Sequence, residues 1–349
     1  MNSESVQEDA PPDVSFAGCG FLGIYHVGVS ACLLDHAPHL LENNVIGASA
    51  GAMMAAAMVG EVPLPDMTRA ILNVAERARA VAPIVLSKEF KLDEALNDNL
   101  QKILPDDIHL RVNDRVYVAM TTLINGKQLM VNEFSSKTDL ISALRASSYV
   151  PFLANWGFPR FRGHLVCDGI VSAIHPTRPA TSTITVSPWA GWGTISPSSK
   201  GKLSLLVNLW FAGPSWFAGW PPSVARIERL CQQGYEDAMT FLLDKKYLSC
   251  HGCEQDDQEG CALVHPTELS PEMKKVFEEA KGEELRGYDK RTSTKLQGAI
   301  LRFALIWFSP LQIAHRAVRA VTTLRLPYID TDVFGPPNHC LPLTMRPIC

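Results

Sequence analysis

At 349 residues and 38.3 kDa, with 46% hydrophobic and 19% charged residues and a formal net charge of −4, the chain has ordinary globular composition and can bury a sizeable core. That balance excludes nucleic acid as a partner, and no stretch reaches the ~20 apolar residues that a spanning helix needs. The nine cysteines, an odd number, argue against a paired disulfide framework and for reduced thiols.

Residues 1–12 are polar and acidic with Pro11-Pro12 and lack an apolar signal-peptide core, which predicts a disordered leader and a cytoplasmic location. A catalytic domain is expected over 13–248. The apolar stretch Val14 to Ala17 runs into the glycine-rich turn Gly18-Cys19-Gly20-Phe21-Leu22-Gly23. Asn44-Val45-Ile46 leads into a second turn, Gly47-Ala48-Ser49-Ala50-Gly51, and the helix-forming run Ala52 to Met58 follows. Asp66 to Ala82 reads as a helix with Asp66 as N-cap, and Leu92 to Leu104 repeats its apolar spacing. Strands Arg115 to Leu123 and Lys127 to Phe134 flank the hairpin signal Asn125-Gly126. Asp139 to Ser148 reads as a helix, Leu165 to Cys167 and Thr183 to Val186 as short strands, and Ser223 to Leu243 as a helix opened by Pro221-Pro222. Strands alternating with helices predict an α/β three-layer domain with a mainly parallel central sheet. There is no internal repeat.

The pentapeptide around Ser49 has the form G-x-S-x-G between a strand and a helix, which is a nucleophile elbow. Its sharp turn lifts the serine oxygen clear, and the small flanking residues let the helix pack close behind. The helix N-terminus beneath it favours negative charge on oxygen. The first glycine turn can supply backbone donors for that charge. A serine hydroxyl also needs a base. Asp168, at the end of a strand and before Gly169, is one candidate, while His175, His251, His265, His315 and His339 all follow it. Spacing alone does not choose between a carboxylate and a histidine. The first turn also matches a dinucleotide fingerprint, with Asp35 or Glu42 as the ribose acid. Bulky Phe21-Leu22 and the absence of a second strand–helix–strand unit weigh against that reading.

Beyond residue 248 the character changes. Residues 251–284 carry ten Asp/Glu against three Lys, so 249–285 is expected as an acidic linker. Residues 286–325 reverse the sign, with eight Lys/Arg against one Asp, around a short apolar run at 299–314. That composition suits a segment lying on a membrane or lipid droplet, so 286–349 is expected to associate with such a surface. Residues 205–220, with Trp210, Phe211, Trp216, Phe217 and Trp220, either pack the core or touch the same interface. Cys250, Cys253, Cys261 and His265 have spacing that could hold structural zinc, although the acidic, loop-like segment favours free thiols.

Residues Phe16 to Gly23 with Tyr25-His26-Val27-Gly28, then Gly47 to Gly51, then Asp168-Gly169, closely resemble the patatin-like phospholipases. The nearest branch is that of adipose triglyceride lipase and adiponutrin, also echoed in His36-Ala37-Pro38, Ile184 to Pro188 and Gln233-Gly234-Tyr235, so the likeness covers roughly residues 13–245. The resemblance implies a Ser–Asp dyad with Ser49 as nucleophile and Asp168 as base, and an oxyanion hole in Gly18 to Gly23 through the amides of Cys19, Gly20 or Phe21. It implies an acylglycerol substrate, triacylglycerol first and phospholipid or retinyl ester behind it, at a membrane or droplet surface. No cofactor is implied, and a protein co-activator fits the family. A lipid transacylase is the near variant. One departure stands out: Ile170 follows Asp168-Gly169, where the family usually has Gly or Ala. It motivates a second reading, a weakly active droplet protein that sequesters a lipase activator.

Overall fold

The computed structural model describes residues 11–80, 91–149, 158–179, 181–198, 221–248 and 268–287. The chain divides into two compact units, Met1–Leu301 and Arg302–Cys349, and every described residue belongs to the first. The stretches 205–220 and 299–314, the leader up to residue 10, and Cys250, Cys253, Cys261 and His265 lie outside the described residues.

A seven-stranded sheet frames the domain, built from β1 (Asp13–Phe16), β2 (Val45–Ala48), β3 (Val116–Thr122), β4 (Gln128–Val131), β5 (Arg160–Phe161), β6 (His164–Asp168) and β7 (Thr183–Val186). The sheet is mixed. Strands β7, β1, β2 and β3 lie side by side in parallel, while β4, β5 and β6 join antiparallel on the β3 side. All four residues of β1 and of β2 are buried, the pattern of parallel strands covered on both faces. Eight helices among the described residues complete a three-layer α/β arrangement: α1 (Ile24–His36), α2 (Ala50–Val59), α3 (Leu64–Ala80), α4 (Leu92–Ile103), α5 (Ile108–Val112), α6 (Lys137–Ser147), α7 (Val224–Asp244) and α8 (Pro271–Gly287). Helix α2 is apolar all round because it is enclosed all round, with Ala52 to Ala57 buried. Among the described residues no helix is long and apolar enough to cross a membrane.

Two local expectations change. Helix α3 begins at Leu64, so Asp66 sits in its first turn and is not the N-cap; the Pro63 carbonyl accepts the amides of Asp66 and Met67 at 2.9 and 3.1 Å. Part of the expected acidic linker is helix α8. It buries Met273, Val276 and Phe277 against α3 and α7. Its Glu284 carboxylate accepts the Val224 N–H at 3.1 Å, satisfying an orphan donor at the start of α7. Glu272, Glu278, Glu279 and Glu283 face outward, and the apolar stripe is only three residues wide.

Helices α1 and α7 make the most intimate helix contact, at Gly28 and Gly234. A Cβ on Gly28 would fall 1.8 Å from the Cys231 carbonyl oxygen, and one on Gly234 would fall 2.2 Å from that of Tyr25. Rigid backbone on both sides leaves no room to relax. Gly28→Ala should therefore cost about 2 kcal/mol or more, read as a clear fall in melting temperature; an unchanged melt would show that the crossing is looser than described.

Candidate active site

Two strands meet end to end on one edge of β3. Met120 pairs with Leu129 of β4 on one side and with Asp168 of β6 on the other, and Ala119 pairs with Met130 and with Ala48 of β2. Strands β2 and β6 therefore share an edge, one parallel to β3 and the other antiparallel, and their carboxyl ends stop at adjacent positions. Ser49 and Asp168 stand at that junction, 119 residues apart in sequence.

Ser49 has φ 54° and ψ −127°, a left-handed conformation for a residue with a Cβ, and it turns β2 sharply into α2. Such a conformer costs roughly 1–3 kcal/mol and persists only where its surroundings enforce it. The flanking glycines are required by space. A Cβ on Gly47 would lie 2.3 Å from the Gly51 backbone, and one on Gly51 would lie 2.2 Å from the Phe16 carbonyl oxygen.

Ser49 Oγ donates to Asp168 Oδ2 at 2.8 Å, and both side chains are buried, 7% and 4% exposed. The other carboxyl oxygen, Oδ1, accepts the Ile170 N–H at 2.9 Å. The Asp168 backbone is pinned on both sides: its N–H donates to the Tyr149 carbonyl and its own carbonyl accepts the Thr121 hydroxyl, each at 2.9 Å. Burial pushes the Asp168 carboxyl up to about 6, against the pull of the Ile170 amide and the Ser49 hydroxyl. The carboxylate is thus ionised at neutral pH, yet it holds a proton more tightly than a solvated aspartate does.

Ile170 lies in the 3-10 turn Gly169–Val171, without the positive φ that would have strained a β-branched residue there. Its amide anchors Asp168, so the departure from the family pattern leaves the carboxylate in place. Gly169 before it passes so close to β3 that a Cβ would lie 2.3 Å from the Ala119 oxygen.

The first glycine turn closes over the same junction. A Cβ on Gly18 would lie 3.2 Å from that of Ile170 and 3.4 Å from that of Ser49. Residues Gly20–Gly23 form a 3-10 turn with Gly20 at φ 55°. Two other amides of the turn are committed: the Gly18 N–H donates to the Ile174 carbonyl at 3.3 Å and the Leu22 N–H to that of Cys19 at 3.1 Å. Among the described residues, the amides of Cys19, Gly20 and Phe21 have no acceptor, nor do those of Ala50 and Gly51 at the start of α2. Among the described residues, free donors thus come from the turn and from the helix tip.

His26 supports this turn from beneath. Its Nε2 lies 2.8 Å from the Ala17 carbonyl, which can only accept, so Nε2 carries the proton. Burial lowers the ring to about 4, and it stays neutral. The Cys19 thiol, 3.3 Å from the same nitrogen, is raised by burial and then by the charge of Asp168, so it stays protonated and inert. His175, lowered by burial to about 4, makes no hydrogen bond to Ser49 or Asp168, and His251, His265, His315 and His339 lie outside the described residues. Among the described residues no group of three or more His, Cys, Asp or Glu could hold a metal ion.

Sequence reasoning missed Ser147, Thr121 and Tyr149, and named His26 only within the resemblance motif, without its bond to Ala17. Ser147 and Thr121 reach partners 98 and 47 residues away, so no local pattern marks them.

Comparison with known proteins places the chain in a family. Residues 14–181 match the family model described as patatin-like phospholipase. The chain is 32% identical over 354 residues to the mouse (Mus musculus) 1-acylglycerol-3-phosphate O-acyltransferase Pnpla3, covering 92% of this chain and 85% of that one. It is 34% identical over 283 residues to the mouse patatin-like phospholipase domain-containing protein 2, covering 78% of this chain and 57% of the relative. The chain belongs to the patatin-like phospholipase family. It spans most of the first relative but little more than half of the second. Among solved structures, VipD from Legionella pneumophila aligns with a TM-score of 0.38 and 12% identity over 85% of this chain and 80% of that one, a likeness too low to bear on function.

Proposed function

We propose that the chain is a lipid acyl-ester hydrolase, acting first on acylglycerols, that works through a Ser49–Asp168 dyad. The observation that carries this reading is the 2.8 Å hydrogen bond between the strained elbow serine and a buried carboxylate, beside amides without acceptors. Ser49 Oγ attacks the ester carbonyl carbon as its proton passes to Asp168. The oxygen that becomes negative is held by amides from Cys19 to Phe21 and by Ala50, and loss of one such donor typically costs about 2.7–4 kcal/mol in the transition state. The alcohol leaves with the proton from Asp168, and an acyl-serine remains. Asp168 then takes a proton from the water that attacks the acyl carbon, and returns it to Ser49 Oγ as the acyl–serine bond breaks and the fatty acid leaves.

A second reading replaces that water with a lipid alcohol, making the protein a transacylase. It is favoured by the name of the mouse relative, an O-acyltransferase toward 1-acylglycerol-3-phosphate. The weakly active, activator-sequestering reading rested on Ile170 and loses its motive, because the Ile170 amide holds Asp168.

With purified protein and emulsified triacylglycerol, phospholipid and retinyl ester, Ser49→Ala and Asp168→Asn should each lose at least about 10³-fold in kcat, while His175→Gln should keep near-normal turnover. The base must be unprotonated, so kcat/KM should fall as pH drops below about 6. Near-normal turnover in Asp168→Asn would remove the dyad.

Contact with a membrane or lipid droplet, and with it a cytoplasmic droplet location, is assigned to the basic, apolar segment after α8. Residues 1–287 contain every described element, and removing 288–349 should abolish flotation with lipid droplets; undiminished flotation would refute the assignment.

A further inference from the structure

The elbow conformation of Ser49 needs an external hold, and the backbone N–H of that residue shows where it comes from. That N–H donates at 2.8 Å to the hydroxyl of Ser147, the last residue of α6. The same hydroxyl donates at 2.6 Å to the carbonyl of Ala119 on β3. Ser147 is fully buried, so no solvent competes for either bond. A hydroxyl that accepts one bond and gives its only proton to another is fixed in orientation. It ties the elbow to β3, the strand against which Asp168 is also registered.

The neighbouring serine shows that this is not the ordinary habit of a serine in a helix. Ser148 Oγ donates to the Leu144 carbonyl four residues back, at 2.9 Å, the local bond that helical serines usually make. Ser147 forgoes that bond for partners 98 and 28 residues away. Its helix is held in turn, since Arg145 Nε donates to Asp93 of α4 at 2.7 Å. The position of Ser147 is therefore set by the scaffold and not by the elbow it supports.

We propose that Ser147 is a positioning residue for acyl transfer: its hydroxyl clamps the Ser49 amide to β3 and keeps the nucleophile in the strained turn, without touching substrate. The inference rests on Ser49 being the nucleophile. Without the clamp, the Ser49 amide is a buried donor with no acceptor, and the turn can relax toward a conformer that aims Oγ away from Asp168 and from the oxyanion donors. The effect belongs on the chemical step, because the clamp acts on the backbone of the nucleophile.

The test is the second-order rate at which a fluorophosphonate labels Ser49, read by mass spectrometry, with kcat and KM for ester hydrolysis beside it. Ser147→Ala should lower both the labelling rate and kcat by about 10- to 100-fold with KM unchanged. The acid limb should not move below about pH 6, since Asp168 keeps its Ile170, Tyr149 and Thr121 partners, and loss of the Ser49 hydroxyl, which lowers its pKa, can only shift the limb upward. Ser148→Ala, which empties a buried hydroxyl one residue away, should stay within about twofold of wild type. If Ser147→Ala does not fold, Ser147→Cys decides, because sulfur is a poor acceptor and should give an intermediate rate. Wild-type rates in Ser147→Ala or Ser147→Cys, or an equal loss in Ser148→Ala, would overturn the clamp. Failure of the wild-type protein to label at Ser49 would instead overturn the nucleophile assignment.

Discussion

One edge of β3 decides where everything else must lie. Strand β2 runs along it in one direction and β6 in the other, and the two stop at Ala119 and Met120. A strand end is where a side chain can leave the sheet and stay anchored by it. Two ends abutting on a common neighbour bring a hydroxyl and a carboxyl within hydrogen-bonding distance, although 119 residues and several elements separate them. The pair inherits the rigidity of backbone ladders instead of depending on loops.

That convergence is costly, and the costs explain much of the surrounding sequence. A serine at positive φ is strained, and a carboxylate buried to 4% exposure is raised to about 6. Three groups hold Asp168: the Ile170 amide on its carboxylate, and the Tyr149 carbonyl and Thr121 hydroxyl on its backbone. Around the elbow, Gly47, Gly51, Gly169 and the alanines of α2 keep the layers close enough for those holds to reach. A site with this much stored strain and desolvation lowers stability, and the densely packed core around it offsets that cost.

The sequence alone made part of this legible. The elbow, the first glycine turn and Asp168-Gly169 each carry a local signature, because tight turns restrict residue type at fixed offsets. Strands such as Thr183–Val186 and helices such as Leu92–Ile103 follow from short apolar runs and helical spacing. What could not be read was whatever depends on distant partners. Nothing in Ser147-Ser148 tells one hydroxyl from the other, yet one bonds its own helix and the other bonds the elbow. Spacing alone left the base open between Asp168 and a histidine, and the register of β6 against β3 is what brings the Asp168 carboxyl to Ser49. Helix α8 was hidden because Met273, Val276 and Phe277 form a narrow stripe in a segment whose charge count reads as a linker. Proline geometry, not the acid at residue 66, set the start of α3.

The most direct measurement is a crystal structure of the protein after reaction with an alkylphosphonate ester, whose phosphorus mimics the tetrahedral acyl centre. The account predicts phosphorus bonded to Ser49 Oγ, with one phosphonyl oxygen about 2.7–3.1 Å from amides of the Cys19–Phe21 turn or of Ala50. Asp168 should remain beside the modified oxygen. An adduct on another residue, or one whose phosphonyl oxygen points away from those amides, would contradict it.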